Sequence, residues 1–327
     1  MKGSAGIMIF AEPRADGIHP VSYELLGKGR ELAERLGVPL SSVLLGSHAE
    51  EQARELIYHG ADRVYCYDHA VFKDFNLLNC RHHIIRLLKE VKPEIFLLGA
   101  THQGRSLGSR IAAALGTGLT ADCTGLEIDH QGNFVQVRPA FSGNILAHIR
   151  TRTRPQMATV RYKIMSSLCR DTGRQGEIIR QQTEILPSLL TITARENRDE
   201  TNLTEAEVIV SGGAGLQKAA DFSLLSDLAG LLGGTVGASR RLVDSGWIGK
   251  EHQVGFSGHT VKPRIYIACG ISGSPQHLAG MRESDIIIAI NSDPSAPIFK
   301  IADYGIIGDL YEVVPRLIDR IKRERCH

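Results

Sequence analysis

The stretch IYIACGISGSPQH, Ile265 to His277, decides the fold of the region around it. Its apolar start predicts a buried strand, and a glycine-rich turn then leads into an apolar helical pattern. Such a turn leaves free backbone amides and the positive end of a helix dipole at the strand's carboxyl end, a geometry that binds phosphate. The spacing is not that of GxGxxG, and the chain contains no GxxxxGK[ST]. Taken alone, the turn fits a purely structural role equally well.

Three further loops strengthen the binding interpretation, because each places small and polar residues just after, or close to, a predicted strand. They are Ser211–Gly215, Gly237–Arg240 and Gln253–His259. Open α/β sheets bind their ligands at the carboxyl ends of their strands. Four converging loops favour a large, phosphate-bearing ligand over a small metabolite.

The sequence around these loops alternates between strand and helix patterns. Strands are predicted at Val208–Val210, Thr235–Gly237, Arg264–Cys269 and Ile286–Ile290, and helices at Ser223–Leu232, Gln276–Met281 and Leu310–Arg325. This alternation predicts a doubly wound α/β domain over residues 205–327.

The first part of the chain predicts a larger α/β domain over residues 1–195. Strands are predicted at Ile7–Ala11, Ser42–Gly46, Arg63–Tyr67 and Ile95–Ala100, and helices at Ser22–Leu36, Glu50–Tyr58, Leu77–Val91 and Ser106–Leu115. After Gly116 only strands follow, at Leu119–Ile128, Phe134–Val137, Ile145–Ile149 and Met157–Arg161. We therefore expect a mostly parallel sheet that ends in a β-rich extension.

Two charge and polarity features qualify this picture. Between Asp129 and Asp171 there are seven basic residues and no acidic one, and Arg150, Arg152 and Arg154 would share one face of a strand. That face suits a protein partner or solvent better than nucleic acid, because no aromatic interleaving accompanies it. The polar stretch from Arg170 to about Glu205 predicts an exposed connection between the two domains.

Composition excludes several classes of protein. The 327 residues contain 38 Lys+Arg against 36 Asp+Glu, and 43% of them are hydrophobic, which argues against disorder and against nucleic-acid binding through bulk charge. No apolar run is long enough for a membrane helix, and no secretion signal is visible, so we expect a cytoplasmic protein. The six cysteines are scattered, which excludes a zinc knuckle, a redox CxxC pair and a ferredoxin-type cluster, and we predict no metal site.

A resemblance to a known family runs almost without gaps from about Val208 to Pro315. The strings SGGAGL, LAGLLGGTVGASRRLVDSGWI, QVGFSGHTVKPRIYIACGISGSPQHLAGM and SDIIIAINSDPSAPIFKIADYGIIGDLYEVVP resemble the FAD domain of the alpha subunit of electron transfer flavoproteins. In the first half, GRSLGSRIAAALGTGLTADCTGLEID, RPAFSGNILAHI and RPQMATVR are similar to its FixB-like and electron-bifurcating branches.

The resemblance implies a FAD site and a role for each matching residue. Arg240 would lie over the isoalloxazine, where a cation raises the first reduction potential, and Ser257 would hydrogen-bond flavin N5. His277 would lie near flavin O2 as an imidazolium. The full predicted set is Ser239, Arg240, Gln253, Val254, Gly255, Ser257, Gly258, His259, Gly270, Ile271, Ser272, Gly273, Gln276, His277, Asn291, Asp309 and Leu310. Simpler alternatives stay open: Arg240 as an exposed salt-bridging residue, His277 as a core histidine, and Asp309 as a helix N-cap.

The sequence departs from the family pattern at three positions. Ala214 replaces the arginine of SGGRG, so no guanidinium approaches the phosphates from there. Phe256 and His259 replace the second glutamine and the lysine of QVGQTGK. We expect these changes to alter the redox potential, while the site still binds FAD.

The resemblance also implies function and partners. It predicts an obligate heterodimer with a beta subunit contacted by the N-terminal domain, and electron transfer with a dehydrogenase of acyl-CoA type, as in fatty acid β-oxidation. The bifurcating version would use NADH and pass electrons to ferredoxin or flavodoxin as well, within an NADH-dependent acyl-CoA reductase complex. A non-bifurcating carrier that delivers electrons to a quinone oxidoreductase, or a FAD-binding module without redox traffic, is the alternative. No catalytic acid–base group is predicted, since a carrier of electrons requires none.

Overall fold

The computed structural model describes residues 6–14, 17–140, 145–187 and 203–325. The chain divides into two compact units, Met1–Thr193 and Ala194–His327, which we call unit 1 and unit 2. Half of the predicted connection belongs to unit 1, because Glu177–Arg180 forms a strand there and Asn79 Oδ1 accepts a hydrogen bond from the Leu186 amide at 2.9 Å. No helix within the described ranges is both long and apolar enough to cross a membrane.

Unit 1 is a three-layer α/β structure with a parallel sheet at its centre. Its strands are β1 (Ile7–Ala11), β2 (Pro13–Arg14), β3 (Gly17–Ile18), β4 (Leu40–Gly46), β5 (Arg63–Asp68), β6 (Ile95–Gly99), β7 (Leu119–Cys123), β8 (Gly125–Ile128), β9 (Phe134–Ala140), β10 (Ile145–Ile149), β11 (Gln156–Val160) and β12 (Glu177–Arg180). Its helices are α1 (Pro20–Leu36), α2 (Glu50–Tyr58), α3 (Leu77–Val91) and α4 (His102–Leu115).

Seven strands form the parallel sheet, in the order β12-β5-β4-β1-β6-β11-β7. Strand β1 shows why the sequence folds this way. All five of its residues are fully buried, with Ile7 and Ile9 packing into the core on one face and Met8 and Phe10 into the core on the other. A continuous apolar run is typical of a parallel strand covered on both faces.

The predicted β-rich extension is smaller than expected. Strands β7 and β11 return to the parallel sheet, and only β8, β9 and β10 form a separate antiparallel sheet. The predicted strand Leu119–Ile128 is broken at Thr124, two residues after Asp122, whose φ is +60°.

The prediction that three arginines share a strand face is wrong, because residues 150–154 lie beyond the end of β10. Arg150 instead pairs with Asp129 at 3.2 Å, and Arg154 pairs with Glu94. The basic stretch is therefore divided among separate ion pairs.

Unit 2 is a smaller α/β structure, and the predicted doubly wound class is confirmed. Its strands are β13 (Val208–Gly212), β14 (Thr235–Ala238), β15 (Ile265–Cys269), β16 (Ile286–Asn291) and β17 (Tyr304–Ile307). Its helices are α5 (Phe222–Leu231), α6 (Arg240–Asp244), α7 (Pro275–Leu278) and α8 (Leu310–Arg325). The parallel order is β14-β13-β15-β16-β17. The sequence patterns did not predict α6 or β17. The four residues of β17 are all exposed, so they form no apolar pattern.

Candidate functional site

The predicted residues lie at the carboxyl edge of the unit 2 sheet. Strand β13 pairs with β14 on one side and with β15 on the other, so the winding of the chain reverses between β13 and β15. Ligands of open α/β sheets bind at such a reversal. From β14 to β17 the edge spans four strand spacings of about 4.8 Å, or about 19 Å, which suits an elongated ligand.

The loops after β13 and β15 approach each other backbone to backbone. The Gly213 amide donates to the Cys269 carbonyl at 2.9 Å, and the Gly215 amide donates to the Gly270 carbonyl at 3.0 Å. A Cβ on Gly213 would lie 2.4 Å from the Gly270 carbonyl oxygen, and Gly270 itself has a φ of +62°. Only glycine allows this approach, which brings the backbones of the two loops together at the reversal point.

The turn of residues 270–274 packs against the segment at Ile298, which is distant in sequence but adjacent in space. Gly273 has a φ of +88°, and the Ile298 amide donates to the Ser272 carbonyl at 3.0 Å. The helix that follows, α7, has four residues instead of the predicted six, so any phosphate contact relies on individual amides rather than on a long helix dipole. Ser272 and Gln276 are exposed and accessible to a ligand.

A cavity of about 410 Å³ adjoins this turn. Among the predicted residues it touches only Ser272 and Gly273. Arg282 and Lys300 line it as well and give it positive charge. The rest of the predicted site is an open edge and not part of this cavity.

Ser239 and Arg240 lie where β14 passes into α6. The Ser239 amide donates to the Gly212 carbonyl at 2.9 Å, while its Oγ is buried and makes no hydrogen bond. Arg240 is exposed, and its Nε lies 3.1 Å from Asp244 Oδ2. The alternative of an exposed, salt-bridging arginine therefore describes its contact in the structure.

Residues 253–259 form a compact loop against β14 and α7. The Val254 amide donates to the Ala238 carbonyl at 2.9 Å, and the Phe256 amide donates to the Gln276 carbonyl at 2.7 Å. Gln253, buried to 4% exposure, donates from Nε2 to Ser257 Oγ at 3.0 Å. Phe256 projects outward with 68% of its surface exposed.

The same loop is also closed internally by its glycines. The Gly255 amide donates to the His259 carbonyl at 3.1 Å, and the Gly258 amide donates to the Gly255 carbonyl at 3.0 Å. A Cβ on Gly258 would lie 2.4 Å from the Gln253 carbonyl oxygen. The fold therefore places the loop that carries Ser257 and His259 next to β14.

His277 is buried in α7, and its two ring nitrogens differ. Nε2 lies 2.9 Å from Tyr266 Oη, whereas Nδ1 is buried without a hydrogen bond of acceptable geometry. Burial lowers the pKa of His277 to about 4, and the Val254 carbonyl opposes this fall only in part. Burial in this structure therefore favours a neutral ring at pH 7 over the imidazolium that the resemblance implies.

Asn291, Asp309 and Leu310 occupy the other end of the edge, and each already has a structural task. Asn291 Nδ2 donates to the Ile271 carbonyl at 3.0 Å. Asp309 Oδ1 accepts from the Tyr311 amide at 2.9 Å, as a helix N-cap does. Leu310 is buried in the core, so only its backbone faces a ligand.

Two residues of this region escaped the sequence reasoning. Asp244 is four residues after Arg240, a spacing that signals a helical ion pair once α6 is recognised. Tyr266 carries no local signal, because its partner His277 lies eleven residues away on another element.

The arrangement fits the dinucleotide that the sequence implies. Three buried polar atoms at this edge make no hydrogen bond, namely Ser211 Oγ, Ser239 Oγ and His277 Nδ1. Buried polar groups are rarely left unpaired, so unpaired atoms at a reversal point are suited to a bound polar ligand. Hydroxyls, backbone amides and one exposed guanidinium match the groups that FAD offers.

The reversal point of the unit 1 sheet, between β1 and β6, is built differently. Thr101, the N-cap of α4, donates from Oγ1 to Glu12 Oε2 at 2.5 Å, and Glu12 is buried. A buried carboxyl group of this chain therefore contacts the N-cap of α4 at this reversal point.

Comparison with known proteins finds one family domain in each of the two units. The electron transfer flavoprotein domain matches residues 7–185, and the electron transfer flavoprotein FAD-binding domain matches residues 202–282. The chain is 49% identical, over 97% of its length and 98% of the relative's, to an electron transfer flavoprotein subunit alpha of Thermoanaerobacterium thermosaccharolyticum.

Two further relatives have other names. Protein FixB of Azotobacter vinelandii is 43% identical, over 97% of this chain and 91% of the relative. A subunit of Acetobacterium woodii described as lactate dehydrogenase (NAD(+),ferredoxin) subunit LctC is 42% identical, over 97% of this chain and 77% of the relative.

Proposed function

Because this chain belongs to the alpha-subunit family of electron transfer flavoproteins, we propose that it carries electrons between a partner dehydrogenase and a beta subunit in NADH-dependent electron bifurcation. Its cofactor is FAD. When bound, FAD supplies the redox chemistry, because its ring accepts and releases electrons. The proposed dehydrogenase is of acyl-CoA type, and the proposed second acceptor is ferredoxin or flavodoxin.

The observation that carries the proposal is the set of unpaired buried polar atoms at the reversal point of unit 2. Ser239 Oγ and His277 Nδ1 are buried without a hydrogen bond, and Arg240, next to Ser239 in the chain, supplies an exposed cation. Ser257, held by Gln253, offers a hydroxyl on the same loop. These groups bind, orient and adjust charge without an acid–base pair, which is what an electron carrier needs.

Relatives support the bifurcating branch. FixB proteins align over nearly the whole chain, and the printed name of the Acetobacterium woodii subunit couples NAD(+) with ferredoxin. The same name associates that protein with lactate, so a 2-hydroxy acid dehydrogenase is the competing partner class. A non-bifurcating carrier that reduces a quinone oxidoreductase is the second candidate function.

A beta subunit is proposed as the obligate partner of unit 1. The relative is named as a subunit, and the buried Glu12 contacts the N-cap of α4 at the reversal point of unit 1, which disfavours a phosphate there. A unit whose reversal point is not built for a phosphate suits a role in subunit contact. On this proposal the second flavin and the NADH site belong to the beta subunit.

Co-expression with candidate beta subunits and dehydrogenases tests the proposal. The purified complex should show a flavin absorption band, and NADH should reduce ferredoxin only when the dehydrogenase and its acceptor substrate are both present. Separate reactions with an acyl-CoA-type and a 2-hydroxy-acid-type dehydrogenase distinguish the two partner classes.

Each failure has a distinct meaning. A complex that takes NADH electrons to the dehydrogenase but never to ferredoxin is a non-bifurcating carrier. If the flavin binds but exchanges electrons with no dehydrogenase, the protein is a FAD-binding module and not an electron carrier. A complex without a flavin band contradicts electron transfer through this chain altogether.

A further inference from the structure

The side chain of His277 contacts Tyr266, a buried tyrosine to which the proposed function assigns no role. Tyr266 lies in β15 with no exposed surface, and its Oη is 2.9 Å from His277 Nε2. His277 is itself only 5% exposed. The pair is therefore shielded from water, and the hydrogen bond between its members determines where the imidazole proton lies.

The proton count identifies the donor. A phenol has one hydrogen, which needs an acceptor when the group is buried. Ser211 is the other polar side chain that affects Tyr266, and it lowers the pKa that burial raises, which is the effect of a hydroxyl that donates toward the phenol oxygen and not of one that accepts its hydrogen. His277 Nε2 is thus the acceptor, and the Tyr266 hydroxyl donates to it.

An imidazole that accepts at Nε2 holds its own hydrogen on Nδ1. The ring is neutral at pH 7, so one nitrogen carries a hydrogen and the other does not. Nδ1 is the buried atom without a hydrogen bond of normal geometry, and the nearby Val254 carbonyl, which raises the pKa of the ring, favours a hydrogen there. The hydrogen therefore lies on the nitrogen that Tyr266 does not contact, in α7, which follows the turn at the carboxyl end of β15.

We propose that Tyr266 is a positioning residue that fixes the neutral Nδ1–H form of His277, so that this imidazole donates a hydrogen bond to an oxygen of the FAD ring. The inference deepens the FAD site and rests on it. On this proposal His277 faces the flavin as a neutral hydrogen-bond donor and not as a cation. Arg240 is then the positive charge among the predicted residues at this edge.

A neutral donor has a measurable signature. Since His277 does not gain a proton near neutrality, the flavin potentials should show no step that depends on His277 between pH 6 and 8. Loss of the Tyr266 hydroxyl should leave Nε2 without its donor and let the ring proton move between the two nitrogens.

Nitrogen NMR of the full chain tests the proposal directly. With histidine labelled with 15N, two-bond 1H–15N correlations identify which ring nitrogen is protonated, and the signals that His277→Gln removes assign this residue. We expect a protonated Nδ1 and an unprotonated Nε2 from pH 6 to 8, with Nδ1 shifting when FAD binds.

The Tyr266→Phe variant supplies the second measurement, because phenylalanine fills the same space without the hydroxyl. We expect it to bind FAD about three- to tenfold more weakly, with a mixture of ring forms and a shifted first reduction potential. Tyr304→Phe, an exposed tyrosine on β17 in the same unit, is the matched control and should change none of these.

Three results overturn the inference. They are a protonated Nε2 in the unaltered chain, an imidazolium at pH 7, and a Tyr266→Phe variant with unchanged ring form and FAD affinity. An Nδ1 signal that does not respond to FAD also contradicts it, since the donor would then serve the Val254 carbonyl alone. Because the ring form is measured with and without FAD, failure of the FAD site and failure of the tautomer assignment give different results.

Discussion

The guanidinium of Arg240 lies one helical turn from the carboxylate of Asp244, with 3.1 Å between Nε and Oδ2. Both side chains are mostly exposed, at 69% and 60%, so the ion pair contributes little to stability. Asp244 therefore sets where the guanidinium rests, but a bound anion can draw Arg240 away at small cost.

This relationship predicts a split between two substitutions. Arg240→Ala should lower the first reduction potential of FAD by the equivalent of about 1.5–3 kcal/mol, the contribution of a hydrogen bond to a charged group. Asp244→Asn should leave the potential equal or slightly higher, because it removes a competing anion. Spectroelectrochemical titration of both variants measures this, and equal potentials for Arg240→Ala and the unaltered chain would show that the guanidinium does not reach the flavin.

Restoring the family arginine at Ala214 should tighten FAD binding. Ala214 is exposed in the loop after β13, next to the reversal point. A guanidinium there can pair with the FAD phosphates, so we expect Ala214→Arg to lower the Kd about three- to tenfold, with the gain shrinking as salt is added.

The control adds the same charge elsewhere. Gly230→Arg places an arginine near the end of α5, at the opposite edge of the sheet, where no atom lies within 4 Å of a new Cβ. It should leave the Kd unchanged. An equal gain from both variants would point to net charge rather than to a phosphate contact.

Two Gly→Ala substitutions in unit 2, one in the turn after β15 and one in α5, should have opposite effects on stability. At Gly273 the φ is +88° and a new Cβ would lie 2.4 Å from the Ile298 amide nitrogen, so Gly273→Ala should destabilise unit 2 by about 1–3 kcal/mol and weaken FAD binding. At Gly230, in α5, alanine should stabilise the unit by about 0.5–1 kcal/mol. Trp247, the single tryptophan, lies in unit 2, so its fluorescence during urea unfolding reports on this unit. A stable Gly273→Ala variant would contradict the strain argument.

The sequence predicted most elements because their signals are local. Leu77–Val91 and Leu310–Arg325 match the predicted helices fully, since apolar spacing and charged flanks mark their limits. Strand β12 was missed because it is short, polar at both ends and paired with β5, which lies more than a hundred residues away in the chain. Its formation depends on that pairing and not on its own composition.

In the candidate site, too, the features with a local sequence signal could be predicted, and those that depend on tertiary contacts could not. Gly270 and Gly273 could be predicted from the strand–turn–helix pattern, because positive φ and close backbone approach select glycine. The neutral state of His277 could not, since it depends on burial and on a tyrosine that the fold brings beneath it. The early end of α7 at Leu278 did have a local signal, because Gly280 follows the C-cap residue Ala279, but the apolar pattern that continues to Met281 masked it.

In unit 1, Glu12 predicts a pH-dependent stability. Burial raises the pKa of this carboxyl to about 7, against the opposing effects of the Thr101 hydrogen bond and of Arg14. The native state therefore holds a proton that the unfolded chain, with a pKa of 4.5, releases. The free energy of unfolding is unaffected by this group below pH 4.5, falls as the pH rises from 4.5 to 7, and is lower by about 3 kcal/mol above that range.

Glu12→Gln should remove this loss, because the amide is neutral at every pH and its oxygen can still accept the hydrogen bond from Thr101. We expect the variant to unfold at higher urea than the unaltered chain at pH 8, and to differ from it little at pH 5. Circular dichroism, with the unit 2 transition subtracted by means of Trp247 fluorescence, measures the effect. Glu51→Gln, an exposed glutamate of α2, is the control and should leave the pH dependence unchanged. If Glu12→Gln and Glu51→Gln show the same slope between pH 5 and 8, the buried carboxyl is already ionised across this range, and the N-terminus of α4 holds a permanent anion.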